Sequence, residues 1–202
     1  MSTTGLKLSR TSATPPSAAI LADFAELTKP GITFMVALTC IAGFYMDSVE
    51  IEPAAMLATA VGTSLLAAGA STVNQYIERS LDGLMIRTRN RPLPDGRLSP
   101  GGALRFGIAL SVTSVVVLLF LVDALPAMLG FVTFLTNIFL YTPLKRRTPF
   151  CTAVGAISGA MPPLIGSTAA RGHIDLLGLT LFAVLLLWQM PHFLAIGWNY
   201  GQ

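Results

Sequence analysis

Three side chains with oxygen donors, Asn74, Glu78 and Asp82, recur at intervals of four residues. On an α-helix this spacing places them within about 80° of arc and about 12 Å of axis, so that they share one face. Hard oxygen ligands arranged in this way suit Mg²⁺, which keeps several waters and commonly bridges to a substrate phosphate. The alternative is a helix end whose polar side chains meet lipid headgroups while nearby arginines neutralise the two carboxylates.

A basic cluster follows within the polar segment 78–102. Arg87 and Arg91 carry planar guanidinium groups, which bind phosphate oxygens through two hydrogen bonds at once. Beside an acidic metal site, they predict a diphosphate held between the metal ion and the guanidinium groups. Segments of this length without regular structure are usually functional or disordered. Taken singly, each arginine could equally serve only to orient the chain in a membrane.

Two elements further along the chain add candidate residues. Tyr141 and Lys145 are four positions apart and so on one helix face. Both are candidates to approach the same diphosphate, although Lys145 could be only a topological charge. His192 follows Pro191, which removes a backbone donor and kinks a helix. An ionisable group at membrane depth indicates a functional residue, and the alternative for His192 is a buried imidazole hydrogen-bonded to a neighbouring carbonyl.

The elements that carry these residues are predicted from composition. Apolar residues make up 53% of the 202 positions and charged residues only 11%, whereas soluble domains have roughly 25% charged residues. We therefore predict an all-α, polytopic transmembrane helix bundle with six spans. Residues 22–202 form its single domain, after a mobile cytoplasmic tail at 1–21. The spans correspond to six charge-free runs, at 30–46, 53–77, 106–122, 124–144, 148–170 and 176–202.

The basic residues fall on one side of this predicted bundle. If the N-terminus is cytoplasmic, 12 of the 13 Lys and Arg residues lie inside and only Arg171 lies outside, in agreement with the positive-inside rule. The net charge of +3 therefore reflects topology, and we predict no nucleic-acid partner. The two cysteines have no CxxC or histidine partner, so neither a disulfide nor zinc is expected. The charge-free spans argue against a transporter that couples ions or protons.

Three stretches carry a resemblance to a known family: NQYIERSLDGLMIRTRNRPLPDGRLSP from position 74, YTPLKRRTPF from 141 and WQMPHF from 188. Together they resemble the haem O synthase (protohaem IX farnesyltransferase) branch of the UbiA-type intramembrane prenyltransferases, over residues 22–200. Members directed at quinones usually place Asp directly after the Asn and again four positions further on, whereas this chain has Gln75 and Glu78.

The resemblance implies a reaction and a role for the residues named above. Asn74, Glu78 and Asp82 match the family's first motif for a metal-bound diphosphate, with Mg²⁺ as the implied cofactor. Arg87, Arg91 and Lys145 match basic positions expected near the diphosphate. The implied reaction transfers farnesyl from farnesyl diphosphate to a vinyl group of haem b, with addition of water, in the bacterial inner membrane. Contact with haem-handling or oxidase assembly proteins is also expected.

An allylic cation in such a reaction could be stabilised by an aromatic face. The sequence alone does not choose among four candidates: Phe34, Phe131, Phe134 and Phe139.

The chain departs from the family in its length. Members usually have nine helices and a second acidic motif after the sixth, whereas this sequence stops at Asn-Tyr-Gly-Gln, where that loop should begin. We expect a truncated form that lacks half of the diphosphate site and could be inactive alone. Two other functions stay open: prenylation of a quinone precursor, and a non-enzymatic membrane protein that transports haem or binds it through His192.

Overall fold

The computed structural model describes residues 17–145, 148 and 150–200. Within this part of the chain the regular structure is entirely helical, with no strand. Residues 1–16 of the predicted tail lie outside the described residues, while 17–21 already belong to the first helix. The elements are α1 (Ser17–Leu27), α2 (Pro30–Asp47), α3 (Pro53–Asp82), α4 (Pro100–Leu121), α5 (Ala124–Leu135), a π-helical segment (Thr136–Tyr141), α6 (Thr142–Leu144), α7 (Cys151–Arg171) and α8 (Leu176–Tyr200).

Five stretches of the described helices are long and apolar enough to cross a membrane: Pro30–Asp47, Pro53–Asp82, Pro100–Leu121, Ala124–Leu144 and Leu176–Phe193. The prediction of an all-helical, polytopic membrane bundle is confirmed to this extent. The remaining predicted span, 148–170, corresponds to α7, which has 21 residues but is not among the five. α7 is rich in Gly, Ala, Ser, Thr and Pro, and it buries many of them against α2, α3, α5 and α8. A helix packed inside a bundle does not need a wholly apolar surface.

Local sequence signals explain where several helices begin. α2, α3 and α4 each have a proline in the first turn, where its missing N–H costs no intrahelical hydrogen bond. Ser99 and Asp123 cap α4 and α5, because their side-chain oxygens accept hydrogen bonds of 3.2 Å from the N–H groups of Gly102 and Leu125. Short-range chemistry thus fixes where these four helices begin.

α2 and α7 pack with their backbones in close contact. A Cβ atom at Gly43 or Gly166 would overlap the backbone of the facing helix, so the crossing requires residues without side chains. Where α2 ends, the buried carboxylate of Asp47 accepts hydrogen bonds from Arg171 Nε at 2.9 Å and from Ser167 Oγ at 2.5 Å. These contacts hold α7 in register against α2.

Segment 83–99, which joins α3 to α4, packs against α1. Leu27, Leu93, Leu98 and Ala103 form a buried apolar cluster between them. The end of the bundle where α3 ends and α4 begins is called the basic end below. The segment is therefore ordered and not disordered, and its function stays a prediction.

Arg97 ties the same segment to α1 by polar contacts. Its guanidinium group pairs with the carboxylate of Asp23 on α1, which is buried, and with Glu26 at 3.4 Å. It also contacts Asp95 at 3.1 Å and donates a hydrogen bond to the carbonyl of Asn90 at 2.8 Å. α1 and segment 83–99 therefore form one docked unit at the basic end.

Candidate active site

A cavity of about 240 Å³ lies between α2, α3, the end of α5 and α7. Its wall at the basic end carries the polar side chains of Lys29, Asn74, Asn137 and Tyr141. A ligand with a polar head and a long apolar tail matches this distribution. Most of the remaining wall is apolar and includes Ile32, Val36, Leu66, Ala67, Ala70, Phe134, Met161, Pro162 and Ile165.

Asn74 is fixed by two residues of the facing helix. Its Nδ2 donates a hydrogen bond to Asn137 Oδ1 at 2.6 Å, and its Oδ1 accepts one from Thr142 Oγ1 at 2.6 Å. Thr142 Oγ1 also lies 2.9 Å from the carbonyl oxygen of Asn137. Because an amide oxygen has two lone pairs, Asn74 Oδ1 keeps the capacity to bind one further partner.

Asn137 and Tyr141 belong to the π-helical segment, a rare conformation that often occurs at functional sites. Pro143 follows closely, and its ring lacks an N–H and crowds the carbonyl four residues earlier, which disturbs the α-helical pattern. The sequence interpretation missed Asn137, and Pro143 was the available signal of an irregular helix. Gly155 on α7 leaves room for the Tyr141 ring, since a Cβ atom there would lie 2.8 Å from it. This agrees with the close packing that small residues predict.

Glu78 and Lys145 form an ion pair between the end of α3 and the residue after α6. Lys145 Nζ lies 3.0 Å from Glu78 Oε1 and 3.1 Å from Oε2. The Glu78 side chain is 14% exposed and that of Lys145 is 49% exposed. The structure therefore places Lys145 at the acidic motif, next to the helix face that carries Asn74.

Asp82 and Arg91 form a second ion pair one helical turn further along α3. Arg91 Nη1 lies 2.6 Å from Asp82 Oδ2, and the carboxylate is only 6% exposed. Thr88 Oγ1 donates a hydrogen bond to the Asp82 carbonyl at 2.9 Å, which turns segment 83–99 back over the helix end. Arg87 lies on the exposed side of this segment and does not line the cavity.

The donor set at the end of α3 suits a hard cation. Two carboxylates and one amide oxygen match a metal ion that takes few protein ligands and completes its shell with water and phosphate. Among the described residues, no group of three or more His, Cys, Asp or Glu side chains is placed to hold a metal ion by itself. Glu78 and Asp82 instead each have a basic partner, Lys145 and Arg91. The protein alone would therefore supply only part of the shell of a metal ion here, and water or phosphate would supply the rest.

Lys29, between α1 and α2, is a residue of this site that the sequence interpretation treated only as a topological charge. It lines the cavity, and its backbone is left-handed, with φ of 50°. Burial lowers the pKa of Lys29 below its ordinary value of 10.5, and the positive charges of Arg91 and Lys145 lower it further. Glu78 and Asp82 partly oppose this effect. These five charged groups thus act on one another at the basic end.

His192 lies on α8, away from the lining of this cavity. Its ring is exposed and stacks on Trp188, with ring centroids 4.7 Å apart and planes at 15°. Phe193 lies at 6.0 Å on a tilted plane. The alternative of a buried histidine satisfied by a carbonyl is therefore wrong, because the side chain is on the surface of α8 beside an aromatic ring.

The sequence profile of the UbiA prenyltransferase family matches residues 35–201, and the chain belongs to this family. The enzymes of the family generally use divalent metal ions to bind the diphosphate. The resemblance stated from the motifs is thus confirmed.

Several curated proteins with the name protoheme IX farnesyltransferase are similar to the chain. The protein of Solibacter usitatus (strain Ellin6076) is 44% identical, over 89% of this chain and 65% of its own length. That of Aquifex aeolicus (strain VF5) is 41% identical, over 91% and 63% respectively, and that of Sorangium cellulosum (strain So ce56) is 51% identical, over 75% and 54%. The chain thus spans less than two thirds of the length of these relatives. No solved structure matches it.

Proposed function

We propose that the chain forms part of an enzyme that transfers a farnesyl group from farnesyl diphosphate to a vinyl group of haem b, with addition of water, to give haem O. The observation that carries this proposal is the cavity, which joins a charged, hydrogen-bonded end to an apolar interior between transmembrane helices. The names of the similar proteins give farnesyl as the transferred group and protoheme IX as the acceptor.

In this proposal the diphosphate binds at the basic end of the cavity. Asn74, Glu78 and Asp82 would hold Mg²⁺, which when bound supplies positive charge to neutralise the departing diphosphate. Lys145 is paired with Glu78 and Arg91 with Asp82. Each basic side chain can therefore bind a diphosphate by leaving its carboxylate, while that carboxylate binds the metal ion. Arg87 and Tyr141 complete the diphosphate-binding set that we propose.

The chemistry of the transfer follows from the two ends of the cavity. The bond between C1 of the farnesyl chain and the diphosphate oxygen breaks, and its electron pair leaves with the diphosphate. The vinyl group then forms a carbon–carbon bond to C1. The cation created beside the porphyrin takes a hydroxyl from water, which releases one proton. The apolar wall protects the allylic cation from early capture by water.

The structure narrows the choice of aromatic group for that cation. Phe134 lines the cavity, whereas Phe34, Phe131 and Phe139 are exposed on the helix surfaces. We therefore assign the cation-facing role to Phe134, because it is the one of these four phenylalanines that borders the cavity. Phe134→Leu keeps an apolar wall and removes the π-face, so a fall in turnover without a change in diphosphate affinity tests this assignment.

The proposed membrane arrangement adds one span to the five helices that are long and apolar enough to cross a membrane. α7 serves as a sixth span inside the bundle, and residues 22–202 form one prenyltransferase domain after a cytoplasmic tail. The basic end then faces the cytoplasm of a bacterial inner membrane, where farnesyl diphosphate is soluble and where basic residues are favoured. Haem b, the lipid bilayer and haem-handling or oxidase assembly proteins are the partners in this scheme.

The decisive experiment measures product formation. Membranes containing the 202-residue chain, and membranes containing the chain extended by the part of the Solibacter usitatus relative that it does not cover, are incubated with haem b, farnesyl diphosphate and Mg²⁺. Mass spectrometry of the extracted haem should show the farnesylated, hydroxylated product in the extended form. A quinone precursor supplied in place of haem tests the alternative acceptor. Haem binding without product in both forms would contradict the enzymatic proposal.

A further inference from the structure

We propose that Lys29 is a diphosphate-binding residue, presented to the mouth of the cavity by the strained turn between α1 and α2. This inference rests on the proposed prenyl transfer for the identity of the anion. Lys29 precedes the residues 35–201 that the family profile matches. It also lies outside the segments 78–102 and 142–149 in which the sequence concentrates its basic residues.

The backbone of Lys29 is the first observation. Among the described residues it is the single non-glycine residue with positive φ, at 50°, and glycine would adopt this conformation without steric cost. The lysine side chain has donors only and cannot cap the free N–H groups at the start of α2, so no capping contact offsets this backbone conformation. Backbone strain of this kind concentrates at ligand-binding sites.

The surrounding hydrogen bonds hold the turn in this conformation. The Lys29 N–H donates to the Glu26 carbonyl at 3.2 Å, and the Lys29 carbonyl accepts from the N–H groups of Ile32 and Thr33 at 3.0 and 3.1 Å. Gln75 Nε2 donates to the buried Leu27 carbonyl at 2.8 Å. Because Gln75 directly follows Asn74, the turn is tied to the same helix segment that carries the acidic motif.

The electrostatic surroundings are the second observation. The positive charges of Arg91 and Lys145 act unfavourably on that of Lys29, and the carboxylates of Asp82 and Glu78 are already paired with Arg91 and Lys145. Within the described part of the chain, the Lys29 ammonium group has no hydrogen bond or ion pair of its own. A partly buried excess of positive charge at the polar end of a cavity favours a multiply charged anion. A diphosphate fits, and a lysine binds phosphate as a compact point charge.

The test measures binding of farnesyl diphosphate and of inorganic diphosphate, with Mg²⁺ and without haem, to the 202-residue chain in nanodiscs by calorimetry. Lys29→Asn removes the charge but suits the left-handed backbone, because asparagine tolerates this conformation better than most residues. We expect the Kd for both ligands to rise about tenfold or more, as for loss of a charge-assisted hydrogen bond. The melting temperature should not fall.

Two further variants complete the design. Lys29→Arg retains the charge and should keep the Kd within about threefold of the wild type. Arg105→Gln removes an exposed positive charge from the same end, where Arg105 Nε contacts the Gly101 carbonyl at 3.3 Å, and should leave the Kd unchanged. Wild-type affinity in Lys29→Asn would overturn the inference, as would equal losses in Lys29→Asn and Arg105→Gln. Diphosphate binding that depends on Lys29, in a protein that forms no prenylated haem, would refute the proposed reaction alone.

Discussion

Replacement of Asn137 by alanine removes the acceptor of the hydrogen bond that Asn74 Nδ2 donates to Asn137 Oδ1. The two atoms are 2.6 Å apart, although the residues are 63 positions apart in the sequence. Loss of a hydrogen bond costs about 1 kcal/mol, and a buried donor left without a partner costs about 1–3 kcal/mol. If Asn137 orients Asn74 in the transition state, this free energy of about 1–3 kcal/mol is added to the activation barrier. kcat/KM should then decrease by about 5-fold to 150-fold.

The assay is turnover of farnesyl diphosphate and haem b in membranes, normalised to the amount of inserted protein. Asn137→Asp preserves the Oδ1 acceptor for Asn74, so its turnover should decrease less than that of Asn137→Ala. Thr180→Val is the matched control, because it removes an exposed hydroxyl of α8 that, among the described residues, donates its hydrogen bond to the Leu176 carbonyl.

A double-mutant cycle shows whether Asn137 acts through Asn74. Asn74→Ala with Asn137→Ala should be no slower than Asn74→Ala alone, because the second change removes a support for a group that is already absent. Additive losses, or an Asn137→Ala variant within twofold of wild-type kcat/KM, would refute the idea that the π-helical segment serves to hold Asn74.

The other expected outcomes concern separate parts of the chain. Asp82→Ala should abolish prenyl transfer while the amount of inserted protein stays nearly constant, and wild-type turnover would exclude a ligand role. Cysteines introduced at Ser48 and Ser99 should react with an impermeant thiol reagent from opposite sides of the membrane, and labelling of both from the periplasm would invert the topology. His192→Ala should weaken haem binding or change the product while farnesyl diphosphate affinity stays within a few-fold, whereas a change only in melting temperature would make the residue structural. Arg97→Ala should increase trypsin cleavage within segment 83–99, with a stability loss of about 0.5–1 kcal/mol because this side chain is 38% exposed; unchanged cleavage would show that the apolar cluster suffices.

The sequence by itself predicted the class of fold and one face of the site. Low charge density and long apolar runs require a lipid environment for most helices, whatever their packing. Asn74, Glu78 and Asp82 could be placed on one face because the spacing of residues along a single helix is a local property. The prolines and caps that begin α2, α3 and α4 act over one helical turn, so they too can be read from the sequence.

The partners of these residues were decided only by the tertiary structure. Glu78 and Lys145 are separated by 67 positions, and Thr142 and Asn74 by 68, so no local rule selects these pairs. Which of several nearby basic side chains pairs with a given carboxylate depends on how the ends of the helices are arranged in the bundle.

Lys29 shows the same limit at a single position. Its spacing in the sequence fits an interfacial charge, and its place at the cavity follows from the turn that Gln75 fixes onto α3. α7 is less apolar than the five other spans, since a helix surrounded by others can use small and polar residues where lipid would not permit them. The mean hydropathy of a segment predicts whether it can lie in lipid. The position of one side chain relative to a cavity depends instead on contacts between helices that are distant in the sequence.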